Sequence, residues 1–274
     1  MPAKISKEKE EYIIQNYYNK TTKEIKEYTN LSISTIMNVL KRNGMKNKTS
    51  KVYSYDESYF KNIDTEEKAY WLGFLYADGY VRKRQRNSEM RLKLGIKDLD
   101  HLEKFKNAIK SNSIIRIKEE NRFAILSVNS IKFVEHLLDK GCHQAKTFTI
   151  KFPSFLKEDL KRHFIRGYFD GDGSISQWSY IHKRKNRKDR IEKNQCVSLV
   201  SGSFDMLESI KKEIVEHCNT KTYKMYFDNN HTNYAFIRWW NIKDISSIYH
   251  YFYNNSSIYL DRKKLKFEQI LCLN

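Results

Sequence analysis

The sequence predicts an α+β protein: a duplicated αββαββα unit with pseudo-twofold symmetry and saddle-shaped antiparallel sheets, preceded by a small all-α N-terminal domain. Three observations predict it. Trp71–Gly79 (WLGFLYADG) and Ile165–Gly173 (IRGYFDGDG) nearly repeat each other. Each is an apolar helical stretch with an internal glycine, and each ends on Asp-Gly before a strand-like segment. The terminal aspartates, Asp78 and Asp172, lie 94 residues apart, the length of one small α/β unit. Finally, the segments that follow each copy read in the same order of strands and helices.

The N-terminal residues 1–45 read as a helix-turn-helix-like unit. A first helix spans 7–18, with Tyr12, Ile13 and Tyr17 on one side. Thr21 and Glu24 have the spacing of a capping box, and Ile25 and Tyr28 are expected inward. After the tight turn Thr29-Asn30-Leu31, Ser32 caps a third helix with Ile36, Val39 and Leu40 at helical spacing, and Gly44 ends it. Two short helices joined by so short a turn suit DNA binding. The second of them leaves Ser34, Thr35, Asn38, Lys41 and Arg42 polar and outward, types that touch bases and phosphates. Residues 46–63 are polar and basic with little periodicity, and read as a linker.

The first repeat, 64–152, opens with a helix over 65–78, whose Glu66 and Glu67 complement the helix dipole. Strands follow at 80–86 and 90–97. In the second, Leu92, Leu94 and Ile96 alternate with Arg91, Lys93 and Lys97. Asp98 is expected to cap a helix to 109, followed by strands at 114–119 and 123–128 and a helix at 131–139. The second repeat, 153–274, has a helix at 158–172, strands at 174–181 and 195–201, and a helix to 217 capped by Ser203. Strands at 222–227 and 234–239 and helices at 244–253 and 261–271 complete it. The loop between its first two strands carries Lys183, Arg184, Lys185, Arg187, Lys188, Arg190 and Lys193.

Composition narrows the function. Of 274 residues, 51 are Lys or Arg and 33 Asp or Glu, a net charge of +18, which points to a polyanionic partner. Paired carboxylates in so basic a chain point to metal-assisted cleavage of nucleic acid. Cys142, Cys196, Cys218 and Cys272 are scattered, which excludes a Cys-based zinc site and a disulfide framework and fits a reducing compartment. No apolar signal region opens the chain and no run is long enough to span a membrane, so it is expected in the cytoplasm of a bacterial or phage-infected cell, or in an organelle, and not secreted.

The two motif copies, their spacing and the repeated element order resemble the LAGLIDADG homing endonucleases in their single-chain, two-repeat form. AYWLGFLYADGYV and FIRGYFDGDGSIS resemble the two motifs, KDLDHLEKFKNAI the helix after the second strand, and SIYLDRKKLKFEQIL the C-terminal segment. Gly73 and Gly167 then let two helices approach closely, at the ~1 kcal/mol that a helical glycine costs. Parallel packing brings Asp78 and Asp172 together at the helix ends, where a cation between them offsets dipole and charge repulsion. Hard oxygen ligands select Mg²⁺. The resemblance adds the carbonyl oxygens of Ala77 and Gly171 as ligands, and a lysine near each site: Lys146 in HQAKTFTI and Lys263 in YLDRKK, with Lys264 an alternative to Lys263. Asp170 has Tyr76 at its counterpart position and reads as a packing residue. A calcium loop starting there fails, because Ile175 and Ile181 fall where its glycine and glutamate belong.

Strand alternation from the two aspartates puts Tyr80, Arg82, Arg84 and Arg86, and Ser174, Ser176, Trp178, Tyr180 and His182, on one face. Arg91, Lys93 and the loop residue Arg184 join it. Such a face suits the major groove on either side of a cut. The resemblance implies a monomeric, Mg²⁺-dependent endonuclease acting on a long, near-asymmetric site in double-stranded DNA, leaving 3′ overhangs. A splicing maturase or transcriptional regulator on the same fold is the alternative. The chain opens on Met with no flanking splice-junction pattern and is expected to be free-standing, not embedded in an intein.

Overall fold

A computed structural model describes residues 5–17, 20, 22–45, 53–84, 88–183, 189–221, 224–227 and 234–273. Thr21, Arg86, Arg184, Lys185, Arg187, Lys188 and Thr222 lie outside the described residues. The chain divides into two compact units, Met1–Val52 and Tyr53–Asn274.

The first unit holds α1 (Lys7–Asn16), α2 (Thr22–Thr29) and α3 (Ile33–Arg42). Its core is Ile13, Tyr17, Ile25, Ile36, Val39 and Leu40. Ser32 caps α3 by accepting from Thr35 N at 3.1 Å, and Asn30 makes the turn before it with φ 54°. Asn suits that left-handed position because its short side chain bonds locally. Tyr28 is not inward: it is 63% exposed and stacks on Tyr12 with ring centroids 3.7 Å apart.

The second unit contains both repeats. The first has α4 (Glu66–Asp78), β1 (Gly79–Arg82), β2 (Glu89–Gly95), α5 (Leu99–Ala108), β3 (Arg116–Lys118), β4 (Phe123–Asn129) and α6 (Ile131–Asp139). The second has α7 (Glu158–Asp172), β5 (Gly173–His182), β6 (Arg190–Ser201), α8 (Phe204–Cys218), β7 (Tyr226–Phe227), β8 (Ala235–Trp239), α9 (Ile242–Tyr253) and α10 (Asp261–Leu271). Each repeat builds a four-stranded antiparallel sheet, ordered β1-β2-β4-β3 and β5-β6-β8-β7. The matching order is the structural signature of the duplication.

Residues 53–63 are part of this second unit and not linker. Tyr59 and Phe60 are buried in its core, Asp56 N donates to Ile109 O, and Ser54 N bonds Asn112 Oδ1. Their polar composition hid two aromatic anchors. Asp98 makes no side-chain cap to α5; its buried carboxylate instead accepts from Arg262 Nε at 2.6 Å. Strand β1 stops at Arg82, short of the expected end at 86. Arg190 and Lys193, read as loop, lie in β6.

Both motif helices are core elements. In α4 every residue from Ala69 to Tyr76 is buried, since the helix is covered by its own sheet on one side and by α7 on the other.

Candidate active site

The site is built by the crossing of α4 and α7. A Cβ on Gly73 would sit 2.0 Å from Phe164 O, and one on Gly167 would sit 2.0 Å from Tyr70 O. The contacts are reciprocal: Tyr70 and Phe164, like Gly73 and Gly167, occupy matching positions 94 residues apart. The backbones therefore touch at a pseudo-twofold axis, as in an interface between identical subunits. At the C-terminal ends the helices stay close, since a Cβ on Gly171 would meet Ala77 Cβ at 2.3 Å and Asp78 Oδ2 at 3.4 Å.

Asp78 and Asp172 thus meet where the helices end. Asp172 is pushed up to about 6, first by loss of surrounding water and then by the charge of Asp78, against the pull of Lys263 and Lys146. Asp78 is also raised by loss of water, with Lys263, Lys146 and Arg262 opposing. Both lysines thus act on both carboxylates. Lys146 leads the short 3-10 turn Lys146–Phe148, and its ammonium donates to Gly79 O. Lys263 is buried in α10 and donates to Phe169 O at 2.7 Å and Gly171 O at 3.1 Å. Its ammonium is pulled down to about 8 by burial, with Asp170 opposing most. Lys264 points elsewhere, over the Tyr259 ring at 4.2 Å.

Asp170 is a buried anchor. It accepts from Tyr70 Oη at 2.8 Å, Tyr253 Oη at 3.1 Å and Leu260 N at 2.8 Å. The Leu260 bond fixes the segment that leads into Lys263. A crevice of about 230 Å³ opens beside Asp172, lined by Lys146, Tyr168, Ser201 and Tyr234 among others.

The outward strand residues are less uniform than alternation implies. On β1, Tyr80 is exposed and Arg82 half-buried on one face, while Val81 points in. Arg84 is exposed beyond the strand, its N–H bonded to Ser88 Oγ. Arg91 faces outward but is clasped by Glu89 at 2.8 Å and lies over the Tyr80 ring. Lys93 lies over the Phe123 ring at 3.8 Å. Ser174, Ser176, Trp178, Tyr180 and His182 are all exposed, but so are Gln177, Ser179 and Ile181. The β5–β6 ladder runs from Gly173↔Leu199 to His182↔Arg190, whereas β8 supports only Val197–Ser201. The outer part of this hairpin is a two-stranded arm open on both faces. On α3, Ser34, Asn38, Lys41 and Arg42 are exposed and Thr35 half-buried, with Arg42 paired to Glu10 at 2.8 Å.

Two groups near the carboxylates escaped the sequence reading. The Arg262–Asp98 pair lies by Asp78, and the Tyr168 hydroxyl lies by Asp172. The available signal was that Tyr168 replaces Phe74 between the two aligned motif copies.

No protein-family model matches the chain. Among curated proteins, the replication factor C small subunit of Methanocaldococcus jannaschii is 25% identical over 174 residues, 60% of this chain. The chain spans only 9% of that protein's length. Among solved structures, the I-LtrWI LAGLIDADG homing endonuclease bound to target DNA matches with a TM-score of 0.53 at 14% identity, over 79% of this chain and 90% of that one. The LAGLIDADG meganuclease I-AabMI bound to uncleaved DNA gives 0.52 at 14%, over 74% and 90%. The I-SmaMI LAGLIDADG homing endonuclease bound to cleaved DNA gives 0.52 at 14%, over 75% and 87%. With one motif helix per repeat crossing at paired glycines, and with two sheets of matching strand order, the chain has the fold of the LAGLIDADG homing endonucleases in the single-chain, two-repeat form.

Proposed function

We propose that this chain is a site-specific double-strand DNA endonuclease, hydrolysing one phosphodiester in each strand across the minor groove and leaving short 3′ overhangs. The observation that carries the proposal is the meeting of one carboxylate and one lysine from each repeat at the ends of two crossed helices. The net charge of +18 supports the same partner.

The residues present fit a hard divalent cation such as Mg²⁺. Asp78 and Asp172 offer oxygen only, and burial followed by the charge of Asp78 pushes the Asp172 carboxyl up, a penalty that a cation relieves. The carbonyls of Ala77 and Gly171 are further candidates; that of Gly171 already accepts from Lys263. When bound, the cation supplies Lewis-acid charge to the phosphate and acidity to water. The chain's own part is to place Lys146 and Lys263, both pinned by backbone carbonyls, where negative charge develops on phosphorus-bound oxygens. Asp170 holds the Lys263 segment in place.

Two sites this close together reach across the minor groove, ~6 Å wide, more readily than across the major groove at ~12 Å. Right-handed geometry then offsets the cuts in the 3′ direction. The face carrying Tyr80, Arg82, Arg91, Lys93 and Ser174, and the arm bearing Trp178, Tyr180 and His182, supply contacts to a long, near-asymmetric target bound by one monomer. Residues of α3 add contacts from the N-terminal unit.

The test is a selection for cleaved sites from a random duplex library with Mg²⁺, followed by end-labelled products run beside a sequencing ladder. Short 3′ extensions are expected, lost in Asp78→Asn and Asp172→Asn while binding persists. Blunt or 5′-extended ends would overturn the arrangement. Tight binding with neither strand cut would assign the chain to the non-catalytic binders.

A further inference from the structure

The end of α7 far from Asp172 carries a group of titratable side chains that the paired-helix site does not use. Glu158 opens α7, while Glu213 and His217 stand four residues apart near the end of α8, on one face of that helix. Glu158 and Asp172 begin and end the same helix, so roughly 21 Å of helix rise separates them. One ligand atom from each of Glu158, Glu213 and His217 lies within 4.8 Å of the others.

Each of the three is oriented through one atom and keeps another in reserve. Lys161 Nζ bonds Glu158 Oε2 and Glu213 Oε1, each at 2.7 Å, which leaves Glu158 Oε1 and Glu213 Oε2. The Glu213 side chain is only 13% exposed, and its Oε2 is buried without a hydrogen-bond partner. A buried oxygen left so is costly until a donor or a cation meets it. His217 donates from Nδ1 to Glu213 O at 3.0 Å, so in the neutral ring Nε2 keeps its lone pair, 3.5 Å from Glu158 Oε1. Two acceptors facing each other repel unless a cation lies between them. A metal-ligating imidazole is oriented in the same way, by a bond from its other nitrogen. The Tyr251 ring flanks His217, with ring centroids 5.5 Å apart. A crevice of about 770 Å³ opens alongside, lined by Asp64, Glu66, Glu158, Asp159 and His217 among others. In a chain of net charge +18, this acidic wall favours a cation, and the crevice leaves room for water on the remaining coordination positions.

We propose that Glu158, Glu213 and His217 bind a divalent cation of the zinc class, which staples the start of α7 to the end of α8. The site is separate from Asp78 and Asp172 and does not depend on the nuclease reading. One imidazole nitrogen with two carboxylates suits Zn²⁺, whereas Mg²⁺ prefers oxygen alone. Lys161 holds the two carboxylates together before the metal arrives.

The experiment uses the full chain, stripped with chelator, in an Asp78→Asn/Asp172→Asn background so that the paired carboxylates take no metal. ZnCl₂ is titrated by calorimetry, and the His217 ring is followed by ¹⁵N NMR. One equivalent of Zn²⁺ is expected to bind, to shift His217 Nε2 and to raise the melting temperature. His217→Ala and Glu213→Gln should each weaken binding ~10–100-fold and remove the thermal gain. Millimolar Mg²⁺ should not displace the zinc. Binding undiminished in both variants, which would place the metal on other histidines or on Cys272, would overturn the proposal, as would an unmoved His217 ring or displacement by Mg²⁺. No uptake, with His217 protonated and paired to Glu158, would assign the cluster to ion pairs alone.

Discussion

At the scale of single residues, Gly73 and Gly167 decide how closely the motif helices approach. Any added Cβ meets backbone, which cannot rotate away. Gly73→Ala and Gly167→Ala are each expected to destabilise the Tyr53–Asn274 unit by about 3 kcal/mol, measured by urea unfolding. A loss below 0.5 kcal/mol would mean that the helices separate at little cost. The buried imidazoles give a second expectation. Burial holds His101 down to about 3 and His163 down to about 4, both below the ordinary value near 6.5 of an unfolded chain. The unfolded state therefore takes up protons first. The contribution of these two groups is full above pH 6.5 and is lost as the pH drops toward 4, by on the order of 3 kcal/mol for His101 and by less for the more exposed His163. His101→Phe should flatten part of that fall in thermal melts; an unchanged slope would count against it. The glycines and aspartates were legible in the sequence because the two copies can be laid over each other. Asp98 was not. An aspartate before a helix reads as a cap, and its real partner, Arg262, is 164 residues away.

At the scale of elements, α7 and α10 begin and end where the periodicity places them, whereas α9, capped by Asn241, begins at Ile242, two residues before the expected start. Alternation was a safe guide only for strands with one side covered. It holds through β2, whose Met90, Leu92 and Leu94 point inward, and fails beyond Ser176, where the residues of β5 are exposed on both faces. Arg166 of α7 was read as part of an apolar turn and is fully buried. It donates to Phe252 O at 2.8 Å, Ile258 O at 3.0 Å and Glu66 Oε1 at 2.7 Å. Glu66 begins α4 and also accepts from Ser257 N at 2.8 Å. One guanidinium thus ties the start of one motif helix to the chain that follows the other. Arg166→Met leaves two carbonyls without their donor and Glu66 without its cationic partner, and should cost about 3–5 kcal/mol by denaturant unfolding. A loss under 1 kcal/mol would show that water replaces it.

At the scale of the whole molecule, Met1–Val52 and Tyr53–Asn274 each bury a core of their own. A chain beginning at Tyr53 is expected to fold and melt cooperatively, and to protect a shorter stretch of DNA. An unfolded product, or an unchanged footprint, would contradict that division. The boundary itself was placed too late from composition, because Tyr59 and Phe60 are only two anchors in a polar stretch.

The reciprocal crossing at Gly73 and Gly167 has a consequence for how such a molecule can change over time. In a dimer of identical chains, every substitution is made twice, and both halves must tolerate it. Here the same geometry is held within one chain, so each side mutates alone. The glycines and the aspartates, which touch the partner or the axis, are kept in step. Positions one layer out have already drifted apart: Phe74 against Tyr168, a short hairpin against a long one. Tandem linkage has freed the two halves to specialise while the seam between them stays symmetric.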